Sequence, residues 1–137
     1  MNNASTRVIR ASFDRSLTLV RRLLERAGLS VVEEFDLSKE PYFERGIVRC
    51  FCVVLLVDTP VLLFEAIALD RAAAVFLPLH IVISGDRDVS FVHWVNPVTS
   101  SGLRPPAPAK EALEGLCHRL ETALAALPAQ ATATAGT

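Results

Sequence analysis

The chain has 137 residues, 51% of them hydrophobic and 21% charged, with a formal net charge of −1. That length suits one domain, the apolar share excludes disorder for the body of the chain, and a sequence pI near 6.3 excludes a strongly basic nucleic-acid surface. The apolar share sits a little above the usual value and the charged share a little below it, so a surplus of greasy side chains needs a burial site.

Residues 5–10 predict a short strand, charged enough to lie near a sheet edge, and the opening ten residues hold no apolar core of a secretory signal. Ser12 predicts a helix cap with Asp14 favourable in the first turn. Phe13, Leu17, Val20, Leu23, Leu24 and Ala27 then recur at helical period, and Gly28 supplies a left-handed stop. Residues 29–37 predict a second strand and residues 38–46 a polar connection. Residues 47–57 form a continuous β-branched and aromatic run, the pattern of a strand buried on both faces.

Thr59-Pro60 opens a second helix, with Pro60 at its first position. That helix, to about Leu69, is apolar nearly all round and must be covered on more than one side. The greasy stretch 47–69 is not a membrane span, because Asp58, Pro60 and Glu65 interrupt it. Residues 74–84 and 89–96 predict two more strands joined by a turn at Gly85-Asp86-Arg87-Asp88. A last helix carries Leu113, Leu116, Leu120, Leu124 and Leu127 on one stripe. The order β-α-β-β-α-β-β-α predicts an α+β two-layer sandwich, helices packed on one face of a mixed or antiparallel sheet. By region, residues 1–97 form the core, 98–108 a Ser/Gly/Pro-rich linker, 109–127 a helix packed on the core or on a partner subunit, and 128–137 a disordered tail.

The motifs Gly28-Leu29-Ser30-Val31-Val32, Val57-Asp58-Thr59-Pro60, Ala66-Ile67-Ala68-Leu69-Asp70, Phe76-Leu77-Pro78-Leu79-His80 and Trp94-Val95-Asn96-Pro97 follow one another in a distinctive order. In this the chain resembles domain-of-unknown-function family 302, a small bacterial and archaeal α/β domain, over residues 7–97. The resemblance implies the fold and carries no established activity. The chain departs from the family pattern at Leu56-Val57-Asp58 and at Leu79-His80, so a ligand site of relatives at those places is not carried over.

Cys50-Phe51-Cys52 places two thiols on the same face of a strand, where they could hold a soft metal or exchange electrons. Core packing of two small side chains explains the pair more simply. A four-residue turn at 85–88 would set His80 directly opposite His93, a two-residue turn would set them diagonally on one face, and an odd loop would separate them. Two imidazoles with a cysteine from the next strand could bind zinc or copper. Arg22 and Arg26 are candidates for holding an anion between the first helix and the sheet, and Asp58 is a carboxylate at a strand-to-helix step. No P-loop, dinucleotide fingerprint or nucleophile elbow occurs.

These features predict a cytoplasmic, non-enzymatic domain that forms a homodimer and binds a small ligand or a protein partner, with neither nucleic acid nor membrane as partner. The odd count of three cysteines, Cys50, Cys52 and Cys117, fits a reducing compartment. The alternative is a thiol- or metal-dependent redox protein using Cys50, Cys52, His80 and His93. No residue pattern specifies a cofactor.

Overall fold

A computed structural model describes residues 4–39, 51–72, 78–100, 102, 104–105 and 107–128. The chain runs through β1 (Ala4–Ile9), α1 (Phe13–Arg26), β2 (Ser30–Asp36), a 3-10 turn at Leu37–Lys39, β3 (Phe51–Asp58) and α2 (Pro60–Leu69). It continues through β4 (Leu79–Gly85), β5 (Ser90–Val95), a one-turn helix α3 (Pro97–Ser100), a 3-10 turn at Ala107–Ala109 and α4 (Lys110–Ala125). The strands form one sheet in the order β1-β5-β4-β3-β2, and every neighbouring pair is antiparallel. Helix α1 therefore carries the chain from one edge of the sheet to the other.

The ends of α1 follow from its sequence. The Arg15 N–H donates to Ser12 Oγ at 3.2 Å, occupying one of the amides that a helix start leaves without an intrahelical acceptor. At the far end Gly28 has φ +76°, and the N–H groups of Leu29 and Gly28 donate to the carbonyls of Leu24 and Glu25. That double bond is the glycine-ended stop that caps the last carbonyls and turns the chain into β2.

Strand alternation divides the sheet into two faces. One carries Val53, Leu55, Val57, Ile81, Ile83, Val92 and Trp94, all buried in a single cluster with Val20 and Leu24 of α1. Leu116, Leu120 and Leu124 of α4 complete that cluster, together with Leu127 just beyond it. The last helix thus packs on the core of its own chain. Trp94 sits opposite Ile81 on this face, as expected of a side chain under the helices. At the sheet end Phe51 stacks on Phe13, ring centroids 5.4 Å apart.

The β4–β5 connection departs from the predicted turn. Gly85 pairs with Ser90, so the four-residue loop is 86–89, one position later than the sequence suggests. The Asp86 carboxylate accepts from the N–H groups of Asp88 and Val89 at 2.8 and 2.9 Å, and this fixes where the chain turns. These amides also lower the Asp86 pKa from 3.8, so the turn gains stability above that pH and loses it on acidification. Gly85 stays in the strand because a Cβ there would meet the Val89 carbonyl oxygen at 2.6 Å. Gly85→Ala is accordingly expected to cost about 1–3 kcal/mol in a urea melt, since backbone must shift to make room.

The linker expected at 98–108 is partly structured. Asn96 Oδ1 accepts from the N–H groups of Val98 and Thr99, which turns the chain at Pro97 into α3. The tail beyond Pro128 and the start of the long apolar run, Cys50 included, lie outside the described residues.

Candidate functional site

The second face of the sheet shows where the sequence-derived candidates fall. Its rows read Phe35–Val54–Val82–His93–Thr6, then Cys52–Ser84–Phe91–Val8, then Glu33–Leu56–His80. Cys52, His80 and His93 therefore share one face. His93 lies opposite Val82, not His80, because the turn sits one position later; the two histidines are diagonal neighbours. Cys52 is two strands away from His93, about 10 Å at a spacing of ~4.8 Å per strand. Zinc needs its ligands at about 2.0–2.3 Å, so the three side chains share a surface without converging. Among the described residues no group of three or more His, Cys, Asp or Glu side chains has an arrangement that would hold a metal.

His93 is instead built into the sheet. Its Nδ1 lies 3.0 Å from Thr6 Oγ1 on β1, and its ring stacks on Phe91 with an interplanar angle of 4°. Cys117 is buried on the core-facing side of α4, and desolvation lifts its thiol to about 11, which leaves it inert at neutral pH.

Asp58 ends β3 opposite Ser30 and is almost wholly buried. Its Oδ1 accepts from the Thr59 N–H at 2.6 Å. Burial raises its carboxyl above the ordinary 3.8, and the Thr59 amide opposes that rise. A raised folded-state pKa means the fold prefers the protonated acid, so stability falls as pH climbs from 3.8 through the folded value. Asp58→Asn keeps the acceptor oxygen and removes the charge. It is expected to be more stable than the parent at neutral pH, with the advantage vanishing below pH 3.8 in paired urea melts.

The two anion candidates separate. Arg22 lines a cleft of about 550 Å³ beside α1, together with Arg10, Arg15 and Ser16. Arg26 lines another, of about 560 Å³, between α1 and α4 with His118 and Arg119. Seven residues place Arg15 and Arg22 on one side of α1, two turns apart. Helical spacing could have found that pair, but Arg10 joins it only through the bend after β1. Arg21 points elsewhere and pairs with Glu34 on β2.

A family model for the domain of unknown function DUF302 matches residues 5–127. The chain belongs to the DUF302 family. The match takes in α4, which lies beyond residues 7–97 that carry the resemblance, in keeping with the place of that helix in the core. The fold is similar to the crystal structure of an uncharacterized conserved DUF302 protein from Bacillus stearothermophilus, with TM-score 0.76 and 17% sequence identity. The likeness covers 91% of this chain and 98% of that one. No curated protein matches the sequence. Among the described residues no helix is long and apolar enough to cross a membrane.

Proposed function

We propose that this DUF302 domain is a non-enzymatic, cytoplasmic binding module that works as a homodimer joined through the second face of its sheet. One observation carries the reading. Strand β3 has the side-chain pattern of a strand buried on both faces, yet among the described residues only the face of Val53, Leu55 and Val57 is buried in the core. Cys52, Val54 and Leu56 on the other face stay half-buried, and Phe35 and Phe91 beside them are 51% and 38% exposed. A contiguous apolar surface of this kind marks an interaction site. Five strands of six to eight residues make a face roughly 20 Å on a side, which suits sheet-on-sheet packing with a second copy.

The Leu-striped α4 does not contribute, since its leucines are already covered. Helix α2, which packs against α4, carries a separate and smaller apolar patch, with Val61 and Phe64 67% and 70% exposed. A thiol- or metal-dependent redox role draws support only from the shared face of Cys52, His80 and His93, and the strand spacing speaks against it. Sedimentation over a concentration series tests the proposal: a mass of two chains at tens of micromolar (about that order) supports it, and a strict monomer there sinks it.

A further inference from the structure

We propose that the cleft beside the first half of α1 binds a phosphate monoester attached to an apolar body. The inference rests on the reading of the domain as a binding module and is independent of how the module assembles. Three guanidinium groups, of Arg10, Arg15 and Arg22, line the cleft with a single carboxylate, that of Asp14. Among the described residues none of the three arginines is in an ion pair, whereas Arg21 on the same helix is neutralised by Glu34. Three positive charges against one negative leave an excess of two. A phosphate monoester at neutral pH carries about −1.5 to −2, which matches. Guanidinium forks are also suited to pairs of phosphate oxygens.

Ser16 supplies an independent sign. It lies in the lining of the cleft, fully buried, and its hydroxyl has no hydrogen-bond partner. A buried hydroxyl without a partner is costly and uncommon in a folded protein. A ligand oxygen reaching the floor of the cleft would accept from it. Beside these polar groups run Ile9 and Leu19, an apolar wall for the rest of the ligand. The volume, about 550 Å³, falls inside the range of small-molecule sites.

Phenyl phosphate is the probe, titrated into the full chain and followed by backbone amide NMR. The expected result is saturable shifts at Arg15, Ser16 and Arg22 with a Kd in the range of about 0.1–5 mM. Benzoate, with one charge, should bind several-fold more weakly, and benzyl alcohol should not bind. The double variant Arg15→Gln/Arg22→Gln should weaken binding by about tenfold or more. Ser16→Ala should weaken it several-fold while making the unliganded protein slightly more resistant to urea, an opposition that a purely structural serine would not produce. Arg26→Gln/Arg119→Gln, in the other cleft, should leave it unchanged. Shifts that never saturate, or equal binding by the Arg15/Arg22 variant, would overturn the proposal, as would equal loss in the Arg26/Arg119 variant. Repeating the titration on a variant altered on the open sheet face separates the two readings: binding retained there upholds the cleft whether or not the chains associate.

Discussion

Replacing Leu120 with alanine is expected to lower the free energy of unfolding by about 2–5 kcal/mol, the range for deleting a buried leucine side chain. Leu120 is 1% exposed on α4 and shares one cluster with Val20 and Leu24 of α1 and with the sheet. Close-packed neighbours relax only partly around the lost methyl groups, so a cavity remains. Domains of this size have only about 5–15 kcal/mol in hand, which makes the loss a large fraction of the total. A urea melt of the variant measures it. A loss under about 0.5 kcal/mol, the scale of surface changes, would mean that α4 is an appendage and not part of the core.

Val82→Glu is expected to abolish association while leaving the single chain folded. Val82 lies on the middle strand β4, in the row Phe35–Val54–Val82–His93–Thr6, on the face away from the helices. In the lone chain a glutamate there reaches water and costs no more than about 1 kcal/mol through strand preference. Between two apposed sheets the same carboxylate would be buried without a partner, at a cost of about 3 kcal/mol or more. At 1.4 kcal/mol per factor of ten, that weakens the dimer by roughly a hundredfold or more. Circular dichroism and a urea melt close to those of the parent would confirm that the fold survives.

Much of the fold is legible in the sequence because its signals are local. Ser12 and Gly28 bracket α1, and the cap and stop appear where those side chains predict them. Thr59-Pro60 likewise marks the start of α2. The β4–β5 turn lies one residue later than the sequence predicts because Gly85 reads as a turn residue, whereas its missing Cβ serves the close approach of the Val89 carbonyl. No spacing rule reveals that contact, and a single-position slip decides which residue faces His93. The helix-forming role of Asn96 was also hidden: a strand followed by Asn-Pro predicts only an ending, while the side chain goes on to cap α3.

The candidate site was less legible, since it depends on which elements meet. Local pattern predicts that Cys50 and Cys52 share a face but does not say which, and Cys52 lies half-buried on the face away from the core; nor can it supply the two-strand separation from His93, which comes from the sheet order. Arg22 and Arg26 stand one turn apart in sequence, yet α4 packs beside α1 so that each faces a different cleft. The surplus of apolar side chains in the composition needs a burial site. The structure puts part of it in the helix-covered cluster and part on the exposed side of the sheet.

The most direct measurement is sedimentation velocity on the parent chain and Val82→Glu side by side, from about 1 to 100 μM, a range that brackets Kd values typical of modest self-association. The account predicts a parent that sediments as two chains at the upper end and a variant that stays a single chain throughout, both equally folded. A parent that remains monomeric, or a variant that dimerises as well as the parent, would contradict the assignment of the open sheet face as the interface.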